Sequence, residues 1–371
     1  MKKNAEKKRI KGWKGFQRQD DGTLHAVIGT YKYQVGHRYH YKGKLVPCQS
    51  GFHFCTNPLG VFQYYQPDME RSCFGEVTAG GAMRKCRTGS KMVAEEIAVT
   101  EEPMDTVKYI EALMRRAAKD DKWHVKRPGK IVSSCQDARL VLGECVNRVA
   151  VAAGCESAAV SVGTGGMAIA LRSNSVALAK YIQSVAVATD LHSLAVTQGD
   201  HSVALGGTRH GIGGYARAEG AASVAYAGHA FATNKHSVAL GTSEAMAGDY
   251  GVAAFMPGSY AGKGSAGKFG IVIATGDFDE LSGDLGCLLV FWHHELLDGG
   301  RIKRVGHEVV MVDGENLKPG ELVCRKMPDN TLHVVDIADD GRSWGREIRT
   351  QLFLMDTENE DYKEKKDGML Q

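Results

Sequence analysis

A four-residue core that recurs every nine residues constrains this chain more than any other feature. The cores begin at Arg139, Arg148, Ser157, Gly166, Ser175, Ser184, Ser193, Ser202 and Gly211, and read RLVL, RVAV, SAAV, GMAI, SVAL, SVAV, SLAV, SVAL and GIGG. From Ser223 the spacing becomes fourteen, with cores at Ser223 (SVAY), Ser237 (SVAL) and Gly251 (GVAA). Between these lies a weaker Ala-x-Ala element: Ala216/Ala218, Ala230/Ala232 and Ala245/Ala247. A unit this short cannot bury a face alone, so neighbouring units must stack. The Gly-rich gaps and the missing 3.6-residue pattern argue against an Ala-rich helical array.

Strand alternation sorts the columns of the core. Columns two and four hold Val, Leu and Ile and are expected to stack into the apolar ladder. Column three, mostly Ala, is expected to form a tightly packed or narrow opposite face, a candidate for self-association. Asn174, Gly199, Asp200, His201, His236 and Gly241 fall in the gaps, as turns require. Calcium-binding nonapeptide coils share the spacing but need Gly-Gly-x-Gly-x-Asp turns. These turns lack the aspartates, so no calcium is expected. The change of period predicts a break or narrowing of the coil near 207–222, where Gly206, Gly207, Gly211, Gly213 and Gly214 cluster.

The fold class expected is mainly β: a parallel β-solenoid or β-roll over 135–267, an N-terminal α+β domain over 16–134 and a C-terminal β-meander cap over 268–340. A basic arm (1–15) precedes these and a charged tail (341–371) follows. The arm carries seven Lys or Arg and one Glu. Strand-like runs HAVIGTYKYQVG, HRYHYKGKLVPC, GFHFC and FGEVTAGG mark the N-terminal domain. An amphipathic helix is expected over Asp105–Asp120, with Val107, Ile110, Leu113 and Met114 packing on the strands or capping the first coil. The meander strands read FGIVIAT, GCLLVFWHHELL, RIKRVGHEVVMV, ELVCRK and TLHVVDI. Within the tail, QLFLM (351–355) is apolar enough to dock.

Lys and Arg total 46 against 43 Asp and Glu, so no overall field draws the chain to nucleic acid or membrane. No apolar run reaches the 18 residues or so of a membrane span, and none follows the N-terminal lysines as a signal peptide would. The nine cysteines read as reduced thiols. These observations point to the cytosol.

One N-terminal segment stands apart: Cys48-Gln-Ser-Gly-Phe-His53-Phe-Cys55, followed by Tyr64-Tyr65. Cys48, His53, Cys55 and Tyr64 are the candidate site. Thiolate and imidazole suit zinc, and residues two apart on a strand share a face, so Cys48, His53, Cys55 and Cys73 are the candidate ligands. The Cys-x4-His-x-Cys spacing is not a standard zinc pattern, and buried structural thiols are expected instead: no metal and no cofactor. Cys55 and His53, two apart, are poorly placed for attack geometry. The His293–His294 pair is expected to be solvated.

The HSVALG units at 201–206 and 236–241, with the fourteen-residue spacing from Ser223 to Gly264, resemble the head repeats of YadA-like trimeric autotransporter adhesins. That resemblance implies a left-handed parallel β-roll and a homotrimer. The GFHFC segment, with YQVG and KGFQ, is similar to an uncharacterised domain that opens many phage and prophage proteins. There it precedes Gly/Ala/Ser coils and a small cap reading VDGE…KP, matched here at Val312-Asp313-Gly314-Glu315-Asn316-Leu317-Lys318-Pro319. This implies a phage or prophage source. The G-F-x-F-x-T…Tyr pattern also resembles a core strand of ADP-ribosyltransferase-like folds, with Glu76 the nearest carboxylate. The function expected is therefore a non-enzymatic, protein-binding protein acting on a host or phage component in the host cytosol, as a homotrimer or other homo-oligomer. The alternatives are a structural adhesin-like virion or surface protein, and an ADP-ribosyltransferase-like enzyme.

Overall fold

The computed structural model describes residues 9–26, 31–67, 71–87, 89–117, 124–125, 131–207, 214–255, 262–276, 279–297, 301–326, 331–338, 341–348, 350 and 352–354. The chain forms two compact units, Met1–Gly228 and His229–Gln371. It is mainly β, with a parallel β-solenoid of about eight turns in residues 131–291 and an antiparallel sheet at the N-terminal side.

The N-terminal sheet contains β1 (Ile10–Arg18), β2 (Leu24–His25), β3 (Lys32–Tyr33), β4 (Arg38–His40), β5 (Phe52–Cys55), β6 (Ser72–Lys85) and β7 (Lys91–Val99). The pairings β1–β6, β6–β7, β7–β5 and β5–β1 close a ring. The arm expected over residues 1–15 is thus corrected over its second half. Ile10–Gly15 lies in β1, which bridges β5 and β6; residues 1–8 lie outside the described residues. Ile10, Trp13 and Phe16 are spaced between Lys11 and Lys14, so a count of charge hides the buried residues of this strand. The strand β7 escaped the sequence reading because Glu95 and Glu96 interrupt its apolar run; Val93, Ala94, Ile97 and Val99 are nonetheless buried.

The helix α1 (Thr106–Ala117) begins where Asp105 accepts the N–H of Lys108 at 2.9 Å, as a helix N-terminus requires. Its Tyr109, Ile110 and Leu113 are buried. They join Phe62 and Phe74 from the N-terminal domain and Leu140, Val160, Leu178 and Val196 from the solenoid in one core cluster. The helix therefore lies against the side of the coil. The first full repeat is preceded by a further turn, made of β8 (His124–Val125) and β9 (Ile131–Ser134).

The first unit's coil continues through β10 (Leu140–Glu144), β11 (Val149–Ala152), β12 (Ala158–Val162), β13 (Met167–Ala170), β14 (Val176–Ala179), β15 (Val185–Ala188), β16 (Leu194–Thr197), β17 (Val203–Gly206), β18 (Tyr215–Ala218) and the first five residues of β19 (Val224–Ala232). From β10 to β17 each strand pairs in parallel with the next but one. Leu140 faces Ala158, Val149 faces Met167 and Val185 faces Val203. A turn is thus two nine-residue units, and successive units go to opposite sheets.

This arrangement reverses the expected roles of the columns. Columns one and three, and the residue after the core, point between the two sheets. Ser175, Ala177 and Ala179 are buried there, as are Ser184, Ala186 and Ala188, and Ser193, Ala195 and Thr197. Columns two and four point outward. The column-three face is therefore the interior and is not open to a second copy. A two-sheet coil with such short connections leaves room for only small side chains between its layers, and Ala and Ser fill it.

Serine in a dry interior must be hydrogen-bonded. The hydroxyls of Ser157, Ser175, Ser193, Ser202 and Ser223 each accept a backbone N–H from the preceding turn and donate to a carbonyl, whereas among the described residues Thr197 Oγ1 is buried without such a partner. The N–H of Ser184 reaches Ser202 Oγ at 3.1 Å and that of Ser202 reaches Ser223 Oγ at 3.2 Å, while Ser202 Oγ donates to Tyr181 O at 3.3 Å. The variant Ser202→Ala strands the Ser184 N–H, so its urea unfolding midpoint should fall by the equivalent of about 1–2 kcal/mol. At the corners the backbone turns left-handed, with φ of 56° at Asn174, 54° at His201 and 57° at His236. Gly220 is required by contact: a Cβ there would sit 2.0 Å from the Gly199 carbonyl oxygen.

At 207–222 the described residues show an insertion rather than a break. Pairing resumes with Leu194 facing Tyr215 and Val203 facing Val224, so one turn holds three residues more than those before it. The GIGG core expected at 211–214 falls mostly on residues outside the described set. The strand in that place reads YARA, Tyr215–Ala218.

In the second unit, β20 (Val238–Ala247) joins a core and its Ala-x-Ala element into one strand. Its first half pairs with β21 (Val252–Phe255) and its second with β22 (Lys263–Ala266). The strands β23 (Ile271–Ala274), β24 (Glu280–Gly283) and the start of β25 (Leu288–Leu297) continue the parallel stacking. Residues 268–291, expected in the cap, are thus coil. The antiparallel part holds β26 (Arg301–Met311), β27 (Leu322–Lys326), β28 (Thr331–Ala338), β29 (Gly341–Ile348) and β30 (Leu352–Leu354). The pair Leu281–Val323 joins β27 to the coil edge. The segment expected as a charged tail begins with two strands: β29 pairs antiparallel with β28, and β30 pairs with Gly306–Glu308. Among the described residues no helix is long and apolar enough to cross a membrane.

Candidate functional site

The four residues singled out in the sequence line one cavity of about 440 Å³ in the N-terminal domain. Alternation along β5 explains half of it. Phe52 and Phe54 enter one core cluster, while Cys55 belongs to the other, which leaves His53 and Cys55 on the same side of the strand. Cys48 sits in the loop before β5 with φ of 65°, and Tyr64 follows the short 3-10 helix Leu59–Gln63.

These four do not form a catalytic set. The backbone N–H of Cys48 donates to His53 Nε2 at 2.9 Å. That nitrogen is therefore an acceptor, and the imidazole is neutral with its proton on Nδ1. Burial, with Lys91 and Lys14 nearby, lowers the His53 pKa to about 4. Burial pushes the Cys55 thiol up to about 11, so at neutral pH it is a thiol and not the reactive thiolate. Burial also raises Tyr64 to about 12. Cys73, weighed as a zinc ligand, points elsewhere and donates to Phe16 O at 3.7 Å. Among the described residues no group of three or more His, Cys, Asp or Glu side chains is placed to hold a metal ion. His293 and His294 lie at a register shift in β25; their side chains are outside the described set.

Glu76 does not line the cavity either. It is buried in β6 between Lys11 Nζ at 2.8 Å and Arg116 Nη1 at 2.6 Å. Burial works to raise its pKa, but the hydrogen bonds from Lys11 and Arg116 outweigh that and hold it below the usual carboxylate value.

The sequence reading missed the two cations of the cavity. Lys14, only 6% exposed, donates to His53 O at 3.1 Å. Its Nζ lies 5.2 Å from the Tyr33 ring centroid, 5.7 Å from Phe16 and 5.9 Å from Tyr65. Burial lowers its pKa from 10.5 to about 8. Lys91 Nζ stands 4.0 Å over the Tyr64 ring. The one available signal was the set of apolar residues Ile10, Trp13 and Phe16 spaced between the lysines of β1. Gly15 is needed because a Cβ there would meet the Tyr65 ring at 2.3 Å.

A second feature is a surface. In the first unit, columns two and four of β10, β12, β14 and β16 are covered by α1 and its neighbours. Columns two and four of β11, β13, β15, β17 and β19 are half-buried or exposed: Val149 and Val151, Met167 and Ile169, Val185 and Val187, Val203 and Leu205, Val224 and Tyr226. This ladder holds no charge and extends on the order of 20 Å along the stack.

Residues 10–112 match a family model described as a domain of unknown function (DUF7666). No curated protein and no solved structure matches the chain. The matched stretch opens at the first residue of β1 and contains every described residue that lines the cavity.

Proposed function

We propose that this is a non-enzymatic protein-binding protein whose binding surface is the uncovered outer face of the solenoid. One observation carries the reading: the uninterrupted apolar ladder of Val149 to Tyr226 on β11, β13, β15, β17 and β19. Contiguous exposed apolar surface of this kind marks interaction sites in soluble proteins. The equivalent columns on the opposite sheet are covered within the same unit by apolar side chains of the N-terminal domain, so this surface chemistry is one that the fold buries where it can.

The occupant that best fits is a second copy of the chain. Two such ladders have the same strand spacing and the same β-branched columns, so they can interdigitate sheet on sheet. The order of N-terminal domain, small-residue coils and the Val312–Pro319 turn supports a phage or prophage source, and a host or phage protein would meet the same face.

Light scattering of the full chain is expected to give a homo-oligomer. The double variant Val185→Lys plus Leu205→Lys should be a folded monomer, because each change puts a charge into the contact at a half-exposed site. Association should weaken by more than about a hundredfold, roughly 3 kcal/mol. A wild-type monomer at high concentration that also captures no partner dependent on these two residues would sink the reading.

A further inference from the structure

The cavity of the N-terminal domain has a chemical character that the surface reading does not use. Among the described residues, its lining includes Lys14 and Lys91 but no Asp or Glu. Burying an ammonium is expensive unless something compensates it. Among the described residues, Lys14 Nζ has one hydrogen bond, to a backbone carbonyl, and no ion pair. Two of its three donors are left for something else. The rings of Phe16, Tyr33 and Tyr65 around it stabilise a cation only partly.

The remaining wall is aromatic, with Trp13, Tyr31, Tyr41 and Tyr64 among its residues. Its size falls within the range of small-ligand sites, which are mostly apolar with a few placed polar groups. The neutral His53 adds no competing charge. A buried cation short of partners, facing an aromatic wall free of carboxylates, selects for both a negative group and a flat ring.

We propose that this cavity binds a small planar aromatic anion, a carboxylate or a phosphate ester. The anionic group takes the free donors of Lys14 Nζ, with Lys91 at the Tyr64 side, and the ring lies against the tyrosines. Binding neutralises the buried ammonium, so the anion contributes more than its contact area alone.

The test titrates the full chain calorimetrically with 2-naphthoate, 2-naphthyl phosphate and the neutral 2-naphthamide. At least one anion should bind at a single site at least about tenfold more tightly than the amide, a 1.4 kcal/mol preference. The preferred anion separates carboxylate from phosphate ligands. The variant Lys14→Met should abolish the preference. Lys91→Gln, a partly exposed change that leaves the fold intact, should weaken anion binding severalfold and serves if Lys14→Met does not fold. Binding should be the same in the Val185→Lys plus Leu205→Lys variant, which separates the cavity from the solenoid face. Equal affinity for amide and anions, a preference that survives both lysine changes, or no saturation by any probe at millimolar concentration would each overturn the proposal.

Discussion

Ala186→Leu is expected to destabilise the first unit by about 3 kcal/mol, near the upper end for overpacking a core. Ala186 is fully buried in β15, stacked between Ala168 and Ala204 of the adjoining strands. The opposite sheet presents Ala177 and Ala195 to the same interior. Leucine adds three carbon atoms where both layers carry a single methyl, and no side chain there is long enough to swing aside. The coil must widen, and widening strains the hydrogen-bond ladder of every neighbouring turn. Val187→Leu, one position away on the outward column, should shift stability by less than about 0.5 kcal/mol. Urea unfolding followed by circular dichroism gives both values. The reverse order, with the Val187 change harmful and the Ala186 change harmless, would put the Val and Leu columns back inside.

The second large effect is a dependence on pH that comes from Lys14. Its pKa falls from 10.5 to about 8 in the folded chain. Between those values the unfolded chain holds the proton and the folded chain releases it. Stability contributed by this group therefore rises with pH across the window of about 8 to 10.5. Below about pH 8 both states are protonated, and the full penalty of burying the charge remains. The shift corresponds to about 3 kcal/mol across the window. Buried thiols act in the opposite sense. Cys55 and Cys287 are pushed up to about 11 by burial, so they lose stabilising effect as the unfolded thiols ionise above about pH 9. The comparison that isolates Lys14 is wild type against Lys14→Met. The variant should be more stable at pH 7 by up to about 3 kcal/mol, and the gap should close as pH approaches 10.5. A gap that stays constant with pH would mean that Lys14 keeps its ordinary pKa in the fold.

Both predictions depend on features that the repeat did not disclose. The nine-residue spacing indicated short parallel strands, and the turn residues Asn174, His201 and His236 do occupy left-handed corners. Alternation divided each core into two faces but did not say which face met the other sheet. Hydrophobicity favoured the Val and Leu columns for the interior. Width decided otherwise: two sheets joined by such short turns leave room for small side chains, chiefly Ala and Ser, with a Thr at Thr197. In the second unit, where turns are of other lengths, the same interior column holds Val272 and Leu289.

The cavity was legible in part. The aromatic and cysteine residues of GFHFC drew attention to Cys48, His53, Cys55 and Tyr64, and all four line it. Lys14 was hidden because five of the other lysines and arginines near it precede β1, and a run of charge is ordinarily a solvated end. Lys91 comes from a strand whose two glutamates masked its period. The sequence by itself determined that short strands must stack in parallel, because no single repeat can bury its own face. Only the tertiary structure decided which column became the interior and which lysine became the cavity's buried charge, because both depend on the distance between chain segments remote in sequence.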